Sequence, residues 1–232
     1  DYFPSIRPDI MIASSGATGN SFYFISKQSR YARTVWNDVL PTSPFISWMR
    51  FWRIMDIDYL VDDIFKKQFP LNTEALERSP IQYLVPLLDV ETGNVRYVGK
   101  EEKPEPFALL RASKSMPFFY GKATKVLGKS YMDGGCAVTI SDMVKCARTH
   151  GATRILVIDN RTQLDARKRT VVLLYAYTIA SAFARSAMLQ WIRHFNEPID
   201  TRGTASLIIC PQMKMFTATR DPKKIRALFQ MG

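Results

Sequence analysis

The chain has 232 residues, 47% of them hydrophobic, which is enough for the core of one folded domain and argues against disorder. The net charge of +11 favours anionic partners, either nucleic acid or an acidic membrane surface, but the basic residues are scattered, which excludes a basic tail. Three cysteines without metal-ligand spacing and two histidines argue against a zinc site, so we expect no metal, no cofactor and a cytoplasmic protein with reduced thiols.

The first half of the chain predicts a strand, a serine turn, helical stretches and a hairpin. Residues 9–13 predict a strand, and a helix is expected from about 20 to 29. From 34 to 69 aromatic and apolar residues recur at helical spacing, with two prolines as interruptions. Residues 81–90 have strand character, and the ETGN turn after them leads into VRYVG, as in a hairpin.

The second half alternates helices with short strands. Residues 106–115 predict a helix, and KSYMDGG at 129–135 predicts a short strand that runs into a glycine turn. The helix expected over 141–151 has Ser141 as its candidate N-cap and Gly151 as its candidate C-cap. Two apolar runs, TRILVIDN and SLIICP, are typical of strands covered on both faces.

This alternation predicts an α/β fold with a mainly parallel central sheet covered by helices, in a single domain over 1–232. In such sheets functional residues lie at the carboxyl ends of strands, where the serine turn and the DGG turn both fall. The apolar run at 171–184 is shorter than the ~20 residues that span a membrane. We interpret it as a core or interfacial helix in a C-terminal helical extension at about 165–200.

The serine turn, ASSGATGN, has features of a nucleophile elbow. That turn needs small residues two positions before and two after the nucleophile. For Ser15 these positions hold Ala13 and Ala17, whereas for Ser14 one of them would be the β-branched Ile12. The pattern therefore favours Ser15, although a capped helix start would also place serines here.

Asp133, in YMDGG, is a candidate for the base that activates this serine. Taken alone, Asp-Gly-Gly is a common turn, so the aspartate gains weight only in combination with Ser15. No histidine is placed to complete a triad, because His150 falls late in a helix and His194 in a basic amphipathic stretch. A Ser–Asp dyad is the economical enzyme hypothesis.

Several segments in the same order resemble those of the bacterial patatin-like phospholipases, which are serine acyl hydrolases with a Ser–Asp dyad. The family's nucleophile motif PDxIxGxSAGAxN is similar to RPDIMIASSGATGN, and its YxDGG motif is similar to YMDGG. Further similar segments are YFISKQSRYAR, DVETGNVRYV, LLRASKSMPFFY, TISDMVKCARTHGATRILVI and TATRDPKKIRALFQMG. The resemblance implies Ser15 as nucleophile, Asp133 as base, the Gly16 N–H as an oxyanion donor, and Gly134 and Gly135 as turn-forming residues.

The chain departs from the family pattern in two places. Ala13 and Ala17 stand where the family has glycines, which we expect to strain the elbow without collapsing it. The family's glycine-rich oxyanion loop, with the strand that carries it, is not found before Ser15. We expect the native polypeptide to extend upstream, and the outer edge of 10–12 to be covered by a neighbouring segment, a partner chain or those upstream residues.

The expected function is that of a lipid acyl hydrolase, of phospholipase A or esterase type, which works through an acyl-enzyme. Its partners would be a phospholipid or other acyl ester and an anionic membrane surface, with the protein peripheral at the inner membrane. The aromatic segment 45–65 could receive acyl chains, although core packing suits most of it better. The alternative is a catalytically weakened or inactive patatin-fold lipid-binding protein. No nucleic acid is expected, because no recognisable binding motif is present.

Overall fold

The structure, a computed structural model, describes a defined part of the chain. That part consists of residues 7–47, 49–50, 53–161, 170, 173–174, 178, 181–194, 196–210, 221 and 223. Most of the predicted apolar helix at 171–184, and nearly all of the family-like segment at 217–232, lie outside the described residues.

A mixed five-stranded sheet forms the centre of the described part. Its strands are β1 (Ile10–Ile12), β2 (Gln82–Asp89), β3 (Val95–Gly99), β4 (Thr124–Val126) and β5 (Lys129–Asp133). Strand β1 runs parallel to β2, whereas the pairs β2–β3, β2–β5 and β4–β5 are antiparallel. The α/β class is therefore confirmed, but the prediction of a mainly parallel sheet was wrong.

Two hairpins account for two of the three antiparallel pairs. The first is the predicted one, in which Asp89 Oδ1 accepts from the N–H groups of Glu91 and Thr92 and so closes the ETGN turn. The second joins β4 to β5 through Leu127 and Gly128, which both have positive φ, at 49° and 81°. Two consecutive residues with positive φ match the strand twist of a two-residue hairpin. The chain therefore reverses there, and β5 pairs antiparallel with β4.

A second sheet contains β6 (Arg154–Ile158) and β7 (Ala205–Ile209), which are parallel. We expected both strands to be covered on both faces, and this was wrong. Within the described residues Val157 is the buried member of β6, and every residue of β7 is exposed. The described part contains no third strand in this sheet, so the apolar side chains of β7 are exposed to solvent there.

The described helices include six α-helices and two π-helical segments. The α-helices are α1 (Gly16–Ile25), α2 (Ser29–Thr34), α3 (Thr73–Arg78), α4 (Pro106–Ala112), α5 (Ile140–Thr149) and α6 (Ala182–His194). The π-helical segments are Val35–Val39 and Tyr59–Gln68, and short 3-10 turns occupy Lys100–Glu102 and Gly134–Cys136. Within the described residues no helix has both the length and the apolar character needed to cross a membrane.

Two predicted helix starts require correction. Helix α1 begins at Gly16 rather than near residue 20, because the chain reverses within the single residue Ser15. Helix α5 is capped by Thr139 and not by Ser141. The Thr139 hydroxyl accepts from the Asp142 N–H while the Asp142 carboxylate accepts from the Thr139 N–H, and this reciprocal pair places the cap two residues earlier than we expected.

The aromatic segment 45–65 lies mainly in the core. Its described apolar residues are buried to a large extent: Phe45, Ile46, Ile54, Met55, Ile57, Leu60, Val61, Ile64 and Phe65. They pack in one cluster with Phe22 and Tyr23 of α1 and with Leu87 of β2. Core packing, rather than an open acyl-chain groove, is therefore what the structure shows for most of this segment.

The sheet brings the ends of β1 and β5 together. Ile12 pairs with Leu84 of β2, and Asp133 pairs with Leu87. Strand β3 pairs with β2 from Leu84 to Leu88, so it occupies the opposite edge, and β1 and β5 share the remaining one. Because β1 runs parallel to β2 and β5 runs against it, their carboxyl ends point at each other across a short gap beside Pro86.

The backbone fills this gap closely at Gly134. A Cβ built there would lie 2.5 Å from the Pro86 carbonyl carbon and 2.7 Å from Leu87 N. Gly134 has no positive φ, so glycine is needed for space and not for a left-handed turn. This close approach holds the end of β5 against β2.

We predict that Gly134→Ala lowers the free energy of unfolding by about 3 kcal/mol, the upper end of the usual cost of overpacking, because backbone atoms cannot move aside as a side chain can. Denaturant unfolding measures this loss. The matched control is Gly128→Ala, where nothing lies within 4 Å of the added methyl and only the positive φ is strained, at a cost of about 1–2 kcal/mol. Equal losses in the two variants would contradict the close-packing argument.

Candidate active site

Ser15 occupies a strained turn between β1 and α1. Its backbone has φ 53° and ψ −127°, a combination that residues with a side chain rarely adopt and that costs on the order of 1–3 kcal/mol. The Ala13 N–H donates to Leu84 O at 3.2 Å, which anchors the end of β1. On the other side of the turn the Thr18 N–H donates to Ser15 O at 3.2 Å and begins α1. This is the backbone form of a nucleophile elbow.

The two alanines that flank the serine turn, Ala13 and Ala17, are accommodated without strain of their own. Neither Ala13 nor Ala17 is among the residues with positive φ, and Ala17 is exposed. Ala13 is buried, and its carbonyl oxygen accepts from the Thr18 hydroxyl at 3.1 Å. The strain that we expected at the alanines lies at Ser15 itself, and this selects Ser15 over Ser14 as the elbow residue.

Asp133 ends β5 beside this elbow. The residue is fully buried, and its N–H donates to Ser115 O at 3.1 Å while its Oδ1 accepts from the Gly135 N–H at 2.8 Å. Its other oxygen, Oδ2, is buried without a hydrogen-bond partner among the described residues. Burial raises the pKa of Asp133 to about 6, while the Ser15 hydroxyl, the Gly135 N–H and Lys114 act to lower it.

The Ser15 hydroxyl is thus near enough to lower the pKa of Asp133, while Asp133 Oδ2 is left without a hydrogen-bond partner among the described residues. Catalytic hydrogen bonds are often long or poorly aligned before substrate binds. Gly135 lies close to the neighbouring serine, since a Cβ there would lie 3.0 Å from Asp133 Oδ1 and 3.2 Å from Ser14 Oγ. Gly135, like Gly134, leaves room for neighbouring atoms.

Gly16 follows Ser15 directly and is the first residue of α1. Its N–H has no carbonyl acceptor among the described residues. It is therefore free to donate to a bound oxygen. Trp36 lies over this position, with its ring carbons 3.6 Å from where a Gly16 Cβ would be, and its Nε1 donates to Asn20 Oδ1 at 2.7 Å. The sequence had not pointed to Trp36 as a neighbour of the site.

Lys114 is a second residue at the site that the sequence pattern did not indicate. It lies in a segment after α4, next to Ser115, and is itself 5% exposed. Its Nζ donates to the Ser15 carbonyl oxygen at 2.9 Å. Burial lowers the pKa of Lys114 to about 7, and the carboxylate of Asp133 opposes this shift. Lys114 stands between two serines in RASKSMP, a pattern that does not by itself indicate a buried lysine.

The histidines lie elsewhere. His150 interacts with Cys146 and Thr149 on its own helix. His194 ends α6, where burial lowers its pKa. Within the described residues no three His, Cys, Asp or Glu side chains are grouped so that they could hold a metal ion. The chemistry available at the site is therefore that of a serine, a carboxylate, a lysine and backbone N–H groups.

Because its folded pKa lies above its unfolded value, Asp133 destabilises the protein increasingly from about pH 4 to its pKa of about 6, and fully above that. We predict that Asp133→Asn raises the free energy of unfolding at about pH 8 by roughly 1–3 kcal/mol, a gain that disappears in acid. Urea unfolding at the two pH values measures it.

The control is Asp89→Asn. Backbone N–H groups of Thr92 and Glu91 lower the pKa of Asp89, so its ionised form stabilises the fold above its ordinary titration range. The substitution is expected to lower stability at neutral pH, opposite in sign to Asp133→Asn. A loss of stability in Asp133→Asn at alkaline pH would show that the buried carboxylate is not a net cost to folding.

Comparison with known proteins adds a distant relative. No family model matches the chain. The chain is similar to YjjU, an uncharacterized protein of Escherichia coli (strain K12), with 27% identity over 163 residues. The matched region is 65% of this chain and 43% of YjjU, so the chain spans less than half the length of that relative. Function must therefore be argued from the site.

Proposed function

We propose that the chain is a patatin-like serine acyl hydrolase that cleaves lipid esters through an acyl-enzyme. The observation that carries the proposal is a serine held in a strained strand-to-helix turn beside a buried carboxylate with one unpartnered oxygen. A turn of this kind costs stability and exposes a hydroxyl, and a purely structural loop has no need of either. The motifs that resemble the patatin-like family agree with this assignment.

In the proposed reaction the Ser15 Oγ attacks the ester carbonyl carbon, and its proton passes to Asp133. The tetrahedral intermediate places its oxyanion at the Gly16 N–H. The intermediate then expels the alcohol, which takes the proton from Asp133, and leaves the acyl group on Ser15. Water attacks this acyl-enzyme, gives a proton to Asp133 and releases the acid, after which the proton returns to Ser15.

The raised pKa of Asp133 suits it to this role. A carboxylate with its ordinary pKa near 4 is a weak base at neutral pH, whereas a value of about 6 brings the proton affinity closer to the working pH. Burial therefore makes Asp133 a stronger base while leaving it mainly ionised at pH 7. No histidine is required between the two residues.

The substrate class is proposed as lipid on two grounds. The resemblance to patatin-like phospholipases is one, and the net charge of +11, which favours anionic headgroups, is the other. Trp36, beside the Gly16 N–H, offers an apolar wall next to the reacting ester. We place the protein in the cytoplasm, at the inner membrane surface.

We predict that a fluorescent fluorophosphonate labels Ser15, because only an activated serine displaces fluoride from that probe at a useful rate. Ser15→Ala is expected to abolish labelling and the hydrolysis of short p-nitrophenyl esters. Ser14→Ala is the matched control and should retain most of both. Peptide mapping of the labelled protein identifies the serine.

The outcomes separate the candidates. A dead Ser14→Ala variant with an active Ser15→Ala variant would move the nucleophile to Ser14. A folded protein that binds phospholipid vesicles but is not labelled would support the alternative, an inactive patatin-fold lipid-binding protein.

We also predict salt-dependent binding to anionic membranes. The protein should co-sediment with phosphatidylglycerol vesicles and much less with phosphatidylcholine vesicles, because its charge is +11. Binding should weaken as salt rises, since exposed charges are screened over about 8 Å at physiological ionic strength. Equal binding to both vesicles at all salt concentrations would refute the electrostatic explanation.

A further inference from the structure

Lys114 is held at the site on several sides. Its Nζ donates to the Ser15 carbonyl oxygen at 2.9 Å and lies 5.8 Å from the centre of the Phe65 ring. Its aliphatic part passes close to α1 at Gly19, where a Cβ would lie 3.6 Å from Lys114 Cε and 3.1 Å from Phe65 Cζ. The Lys114 side chain is thus buried and closely packed. Such positions are costly for lysine and call for an explanation.

The contact with the Ser15 carbonyl acts directly on the proposed oxyanion donor. The carbonyl of Ser15 and the N–H of Gly16 belong to the same planar peptide unit and point in opposite directions. Lys114 and the Thr18 N–H both donate to this carbonyl oxygen. These two donors therefore fix the orientation of the Ser15–Gly16 peptide through its carbonyl. The charged Lys114 also polarises the Gly16 N–H at the opposite side of that peptide.

We propose that Lys114 is a positioning residue for the reaction of Ser15, which aims the Gly16 N–H at the developing oxyanion and keeps Asp133 ionised. The inference rests on the proposed function. It adds Lys114, from the segment after α4, to the Ser–Asp dyad as a third residue. In the same segment the carbonyl oxygen of Ser115 accepts a hydrogen bond from the Asp133 N–H. One short segment thus contacts both halves of the dyad.

The charges around Lys114 set its pH dependence. Asp133, at the end of β5, is the carboxylate that faces it, and Cys136 lies behind Asp133 with a thiol whose pKa burial raises, so that it stays neutral. Phe65 and Gly19 bring no charge. With the pKa of Asp133 at about 6 and that of Lys114 at about 7, a carboxylate beside an ammonium is most populated between these values.

These two groups determine how the reaction rate changes on each side of the pH profile. Below about 6 Asp133 takes up a proton and no longer acts as a base, so the rate falls. Above about 7 Lys114 loses its proton, so the hold on the Ser15 carbonyl and the positive charge beside Asp133 are lost, and the rate falls again. The expected profile is a bell with its maximum near neutral pH.

The test is the rate of fluorophosphonate labelling as a function of pH for the wild-type protein, Lys114→Met, Lys114→Arg and Lys100→Met. Lys100 is the matched control, because its Nζ also donates to a backbone carbonyl, that of Ser79, away from the site. Lys114→Met should label more slowly by on the order of 10- to 100-fold, less than when an oxyanion donor is removed outright. Its acid limb should move to higher pH and its alkaline limb should vanish.

Lys114→Arg keeps its charge at all accessible pH, so it should retain the acid limb of the wild type and lose the alkaline limb. Lys100→Met should match the wild type throughout. Melting temperatures show which variants are folded. If Lys114→Met does not fold, the wild-type profile decides: a bell supports the inference, and a plateau that extends to about pH 9 overturns it.

Failure of this inference can be told apart from failure of the proposed function. Absence of labelling at Ser15 in the folded wild-type protein contradicts the proposed function, and with it the role of Lys114. Labelling at Ser15 that is unchanged in a folded Lys114→Met contradicts the role of Lys114 alone, and the dyad stands.

Discussion

The meeting of two strand ends on one edge of β2 is the constraint on which the site depends. Strand β1 stops opposite Leu84 and β5 stops opposite Leu87, so part of the edge between them has no partner strand within the described ranges of the chain. Pro86 lies at this gap and has no N–H that would be left unpaired there. Its carbonyl instead lies against Gly134, which has no side chain to hold it away. The two residues together let Ser15 and Asp133 approach from opposite directions.

Much of the local structure could be predicted from the sequence. The first strand, the ETGN hairpin and the strand that ends at Asp133 follow from alternation and turn residues, which act over a few positions. The position of the strained turn at Ser15, rather than at Ser14, also follows, because the β-branched Ile12 belongs in a strand. The second hairpin was missed, since Leu127 and Gly128 lack the Asn-Gly signature of a two-residue turn.

The residues that were missed depend on contacts between distant parts of the chain. Lys114 is 99 positions from the carbonyl that it contacts, and no local pattern shows that a lysine will be buried. The burial of β6 and β7 was misjudged for a related reason. An apolar run shows that a strand can be covered, whereas coverage itself depends on which other segments reach it, and here the described residues leave Leu207 and Ile208 open.

The conformation of Ser15 has a consequence for how this sequence would change under drift. A glycine at this position would remove the strain of a positive φ at no cost in backbone geometry. Mutation constrained by stability alone would therefore tend to replace the serine, and would equally tend to neutralise a buried carboxylate such as Asp133. A lineage that no longer used the turn would be free to lose both residues. This chain contains both costly residues side by side, although they come from opposite halves of the sequence.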